Sequence, residues 1–205
     1  MGESTNSFKW DGDVMETFTA IKGFVHNPHY REQRRRVLGE LDINTIDEPI
    51  VQLIDDLAKL PYCFTLQSCC GHFLYDGQED PNNTQALPIS AAISRVEYRI
   101  AYIALCLQNS DLGKALFQDL SELVSIDPGT IQFGCAEWFW KRQVNSYALQ
   151  VEPERYKTKD RIVVDYQEAL HIEKVRNEFF GEMGRIISRK FLLSTRRIVA
   201  WIEKS

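Results

Sequence analysis

The sequence predicts an α+β protein: one domain in which a mixed or mainly antiparallel sheet is flanked by N-terminal helices and a long C-terminal helix. Three observations predict it. Apolar residues recur at helical spacing near both ends, and apolar runs of strand length fill the middle. A chain of 205 residues with 44% hydrophobic and 26% charged content also matches one globular domain of ordinary size.

The elements follow in order. Residues 1–9 are polar and read as disordered. Val14 to Leu38 carries a helical pattern interrupted by Gly23 and the turn-forming Asn27-Pro28-His29. After the polar link at 42–47, Asp47-Glu48-Pro49 reads as a helix start, with Asp47 as the cap. Ile50, Leu53, Ile54, Leu57 and Leu60 then give one apolar face. Pro61 ends that helix, a strand is predicted over 62–67, and a second short strand over 72–75. Residues 76–88 are turn formers throughout and predict a mobile loop, a lid candidate because it leaves directly from the Ser-Cys-Cys-Gly turn.

Residues 98–107 are nearly continuous in apolar character after Arg99, as expected of a strand covered on both faces. Ser110 or Asp111 caps a helix carrying Leu112, Leu116, Leu120 and Leu123. Asp127-Pro128-Gly129 is a turn. Strands over 130–140 and 145–152 read as a hairpin joined by 141–144. From Tyr166 to Ile202 the pattern is helical, with a break expected at Ser188–Lys190.

Composition narrows the function classes. The N-terminal Met1-Gly2-Glu3-Ser4-Thr5-Asn6 has no apolar run of a secretory signal, and no stretch nears the roughly 18 apolar residues of a membrane span, so a cytoplasmic protein with no membrane partner is expected. Five cysteines without such a signal point to free thiols. A net charge of −5 disfavours extensive nucleic-acid contact, which leaves RNA binding to two local clusters, Arg31 with Arg34–Arg36 and Arg185–Arg197.

The densest chemistry is in Gln67-Ser68-Cys69-Cys70-Gly71-His72-Phe73. A turn of small residues between two strands can aim N–H groups and short side chains at a ligand, and Gly71 allows close approach or positive φ. Ser68, Cys70 and Gly71 are therefore candidate ligand-binding residues. His72, as proton donor or acceptor, and the Cys69 thiol are the candidate catalytic groups. A nucleophilic thiol would need a pKa lowered by His72 or a helix N-terminus, which no sequence feature supplies. Cys63, Cys69, Cys70 and His72 carry zinc donor atoms, but their spacing is not that of a finger or ribbon, and no metal is expected. Trp138 and Trp140, sharing one face of the predicted strand with Phe139 opposite, are candidates for an aromatic platform under a nucleobase, or for a face buried under the last helix.

Over roughly residues 35–190 the order of elements resembles the tRNA wybutosine-synthesising methyltransferases, the third protein of that pathway. The likeness rests on Leu41-Asp42-Ile43-Asn44, Ile46-Asp47-Glu48, Phe64 to His72 and, more weakly, Val163-Val164-Asp165-Tyr166. His72 stands where the family has arginine, Asn44 replaces a serine, the lysine-glycine after that link is missing, and Asp127 to Gly134 replaces a glycine- and arginine-containing segment. The resemblance implies S-adenosylmethionine as cofactor and methyl transfer to an RNA or nucleotide-like substrate. Such a reaction needs positioning more than acid–base groups. The altered segments, cationic and glycine-rich in the family, leave an alternative: a non-catalytic protein of the same fold that binds a small molecule or anion.

Overall fold

A computed structural model describes residues 18–90, 92–156 and 160–202, with the backbone alone at 18–19 and 192–202. The expectation for residues 1–9, the start of the first predicted helix at 14–17 and the side chains of Arg196 and Arg197 in the second basic cluster fall outside what is described. The architecture is α+β with antiparallel sheets. Its strands are β1 Phe18–Thr19, β2 Cys63–Cys69, β3 His72–Leu74, β4 Arg95–Arg99, β5 Ala101–Leu107, β6 Ile131–Ala136, β7 Ser146–Val151 and β8 Arg161–Asp165. Its helices are α1 Tyr30–Glu40, α2 Val51–Lys59, α3 Asp111–Glu122, α4 Glu137–Arg142 and α5 Tyr166–Ile202. One sheet has the order β1-β6-β7-β5-β2 and a second the order β3-β4-β8.

The two sheets are consecutive parts of one bent ribbon. Cys69 pairs with Tyr102 and His72 with Arg99, so β2–β3 and β5–β4 keep a single register across the junction. The bend falls at Cys70-Gly71 on one strand and at Ile100 on the other. A bulge between Thr65 and Gln67 lies one turn of the pleat earlier and strengthens the local twist. β5, the apolar run expected to be covered on both faces, is an interior strand between β7 and β2 and is buried along nearly its whole length. α2, α3 and α5 cover one face through Leu53, Leu57, Leu116, Leu120, Ile172 and Phe179, packed with Ile103, Leu105 and Leu149. α1 covers the other face at one end, through Tyr30 against Phe64 and Cys106.

Several expectations change. Residues 18–29 are not helical. Phe18 and Thr19 pair with Ala136 and Cys135, and Asn145 holds Val25 from both sides, accepting from its N–H at 2.8 Å and donating to its carbonyl at 2.9 Å. The helix starts only at Tyr30, beyond the Asn27 side chain that accepts the His29 N–H. The predicted strand over 130–140 ends at Ala136 and becomes α4, so Trp138 and Trp140 do not share a strand face. The predicted break at Ser188–Lys190 is absent: α5 runs through it, with Arg189 set against Glu182 and Lys190 against Asp119. β8 was not predicted as a strand; its alternating Ile162 and Val164 are buried while its other positions are exposed.

Among the described residues, no helix is long and apolar enough to cross a membrane. Of the first arginine cluster, Arg34 is structural: it donates to the carbonyls of Ala58, Leu60 and Cys63, closing the C-terminal end of α2. Arg34→Met is expected to lower stability by about 2 kcal/mol, because carbonyls served by a charged donor lose it together. A urea midpoint equal to that of the parent protein would refute this role.

Candidate functional site

The turn between β2 and β3 is built by three groups the sequence keeps far apart. The first is Asp47. It precedes a short 3-10 turn, Glu48–Ile50, but makes no cap bond to it. Its Oδ2 instead accepts the Cys70 N–H at 2.7 Å and lies 3.4 Å from His72 Nε2. The second is Asn83, from the predicted lid, whose carbonyl lies 3.0 Å from His72 Nδ1. That loop is tied across the turn, with Asn83 and Leu87 buried and the Leu87 N–H donating to Glu173 Oε1 at 2.8 Å. The third is Arg176 on α5, which donates to the Gly71 carbonyl at 3.0 Å and lies over the Phe73 ring.

These contacts set the protonation of the site. The Asp47 carboxylate beside Nε2 is the main reason His72 is pushed up to about 10, with the Cys69 thiol next and burial opposing. For Asp47, burial alone would raise the pKa, but the imidazole of His72 and the Cys70 N–H outweigh it and hold the carboxyl at about 2. His72 and Asp47 therefore form an ion pair at neutral pH. Burial first, and the Asp47 charge second, push the Cys70 thiol well up, the reverse of what a nucleophile requires.

The predicted site residues sort into two places. Ser68, Cys69, Cys70, Gly71 and His72 are together at the junction of the sheets. Ser68 is half-buried opposite Ile103, and Cys69 is buried opposite Tyr102 with its sulfur accepting the Gly71 N–H. Trp138 and Trp140 lie at the other end of the larger sheet. α4 leads into Ser146, which sits in one row with Cys106 and Phe64, whereas Cys69 shares its row with Tyr102 and Gln150. The rows are four residues, or about 13 Å, apart along β5 and β7 at roughly 3.3 Å per residue. Trp138 is stacked under the Arg142 guanidinium and Trp140 packs toward Tyr147, so neither reaches the turn.

Cys63, which the sequence reading noted as a zinc-type donor without expecting a metal, is also separate: its thiol is buried, pushed up to about 12 by that burial, and donates to the Leu57 carbonyl. Asp47 lies with Cys70 and His72 instead. One donor atom each from Asp47, Cys70 and His72 lie within 4.8 Å of one another.

Beside the turn is a cavity of about 220 Å³ lined by Pro49, Ile50, Cys70, Thr84, Arg176, Asn177 and Phe180. Arg176 is only 8% exposed, and its nearest carboxylate, Glu173, is 3.8 Å away. A guanidinium has five N–H donors; the contacts to Gly71 and Asn177 engage three. Sequence reasoning missed Asp47 as a site residue and Arg176 altogether. Ile46-Asp47-Glu48, part of the family resemblance, was the available signal for the first. For Arg176, one arginine on a 37-residue helix, there was none.

The chain is similar to the PH1069 protein from Pyrococcus horikoshii, at 13% identity and a TM-score of 0.43, over 80% of this chain and 95% of that chain. No family model and no curated protein matches it.

Proposed function

We propose that this chain binds a small anionic molecule in the cavity beside the Cys70-Gly71 turn, the non-catalytic alternative to methyl transfer. The observation that carries this reading is the cavity wall. A buried guanidinium, a hydroxyl and an amide (Arg176, Thr84 and Asn177) face a space otherwise lined by Pro49, Ile50, Phe180 and the Cys70 thiol. Few polar groups on an apolar wall orient a ligand, and a guanidinium selects carboxylate or phosphate. At about 220 Å³ the space is below the roughly 300–1,000 Å³ typical of pockets for larger ligands, which favours a molecule smaller than S-adenosylmethionine.

The test is calorimetry with inorganic phosphate, methyl phosphate, acetate and succinate. At least one is expected to bind with a sub-millimolar Kd and to lose about tenfold or more in both Arg176→Met and Thr84→Val. No binding, or equal affinity in both variants, removes this reading.

One observation favours the second reading, S-adenosylmethionine-dependent methyl transfer to an RNA or nucleotide-like substrate. A larger groove, about 430 Å³, lies at the start of α5 between Ser90, Ile93, Ser94, Asp165, Tyr166 and Gln167. It is of cofactor size. Along α5, however, Tyr166 is about 15 Å from Arg176 and the turn, at roughly 1.5 Å per residue. The absence of any binding of S-adenosylmethionine or its demethylated product at millimolar concentration would remove this reading. RNA contact, the further partner it implies, has Arg31, Arg35 and Arg36 exposed on α1 in its favour.

A further inference from the structure

We propose that Asp47, Cys70 and His72 form a zinc-binding site. The three donor atoms converge within 4.8 Å, from the residue before a 3-10 turn, a strand junction and a strand start that the surrounding contacts hold in place. The spacing of the pair His72 Nε2 and Asp47 Oδ2 is informative. At 3.4 Å it is longer than the roughly 2.7–2.9 Å of a charge-assisted hydrogen bond. It matches the edge of a zinc tetrahedron, about 3.3 Å when Zn–N and Zn–O are each about 2.0–2.1 Å.

The outer contacts agree. An Nδ1 hydrogen donated to the Asn83 carbonyl leaves Nε2, once its proton is lost to the incoming ion, with its lone pair toward the cluster, the usual support of a metal-ligating imidazole. The Cys70 N–H on Asp47 orients the carboxylate in the same way. A thiol among the donors selects zinc over magnesium or calcium.

The chemistry balances as well. On binding, Zn²⁺ accepts lone pairs from the Asp47 carboxylate, the Cys70 thiolate and His72 Nε2, and any proton held by the thiol or by Nε2 passes to water. One carboxylate and one thiolate offset the charge of the ion. Three protein ligands leave a fourth position for water or a small anion, and one of them, Cys70, also lines the neighbouring cavity. This inference does not rest on the anion-binding reading, since the ion needs only the three side chains.

The test uses chelator-treated full-length protein in the absence of any added anion. Titration with zinc chloride is expected to give one ion per chain with a Kd of micromolar or tighter, and to release protons on binding. Cobalt(II) is expected to give the thiolate charge-transfer band of a cysteine-bound ion. Cys70→Ser should abolish that band, and Cys70→Ser and His72→Gln should each weaken zinc by about 100-fold or more, while Cys106→Ala, at the far end of the sheet, leaves it unchanged. Less than half an ion per chain at saturating zinc, or no thiolate band in the parent protein, overturns the proposal without reference to any variant. So does an undiminished band in Cys70→Ser. Zinc binding without phosphate or carboxylate binding would retain this site while removing the anion reading.

Discussion

Asp47→Asn, measured in metal-free protein, is expected to cost about 3 kcal/mol at pH 7 and to change the pH dependence of stability. The folded pKa of His72 is raised to about 10, so its contribution is complete below the unfolded value near 6.5 and is lost as pH rises through about 10. Asp47 is lowered to about 2, so its contribution is complete above roughly 3.9 and is lost as pH falls toward about 2. The parent protein should therefore have a plateau between about pH 4 and 6.5 from this pair, with a decline on the alkaline side that persists to about 10.

In the variant that alkaline decline should move to lower pH and shrink. The main cause of the raised pKa is then gone, leaving the Cys69 thiol and the Asn83 carbonyl opposed by burial, so His72 should titrate well below 10. Urea denaturation over pH 5–10, together with imidazole proton NMR, reads both effects. Parallel pH profiles for the two proteins would mean that the pair does not stabilise the fold.

Gly71→Ala is expected to cost about 3–4 kcal/mol. Gly71 has φ +82°, and an added Cβ would stand 2.9 Å from Ala101 Cβ, 3.1 Å from a Tyr98 ring carbon and 3.2 Å from the Ala101 nitrogen. None of these can retreat cheaply. Tyr98 and Ala101 are completely buried, and the Tyr98 hydroxyl accepts the Ala101 N–H while donating to the Val151 carbonyl. The left-handed backbone contributes about 1–2 kcal/mol and the overpacked junction about 1–3 kcal/mol.

Gly77→Ala is the control, since Gly77 has φ +92° with nothing within 4 Å of its Cβ position. It should cost only the backbone part, about 1–2 kcal/mol. Equal losses at both positions in thermal or urea unfolding would show that the Gly71 effect is conformational alone and that the sheets do not meet as closely as described.

The legible parts of the chain were those where local physics acts alone. The apolar period of α2, the Ser110 cap of α3 and the apolar run of β5 each depend on residues within a few positions, and each is found in the predicted stretch, although the strand expected over 98–107 is divided at Ile100 between β4 and β5. Reading failed where a distant partner decides. Residues 20–29 carry a helical pattern, but Asn145 and β6 are there to hold the segment extended. Glu137 to Arg142 has the aromatic content of a strand, but after Ala136 it has no strand beside it in the described pairing of β6, and it closes its own hydrogen bonds as a helix. The long terminal helix holds together past Ser188 because Glu182 and Asp119 meet its basic residues.

The same division runs through the site. By itself the sequence determined the α+β class and marked the Ser-Cys-Cys-Gly-His turn, because hydrophobic period and a run of Ser, Cys, Gly and His are properties of consecutive residues. Only the tertiary structure decided which groups surround that turn. Asp47 is 25 positions from His72 and Arg176 is 105 positions from Gly71, so their meeting is a property of how α2 and α5 pack against the bent ribbon. The charge on His72, the silence of the Cys70 thiol and the shape of the cavity are set by burial and by partners across that packing. These are electrostatic and volume effects that act through space, and no local pattern encodes them.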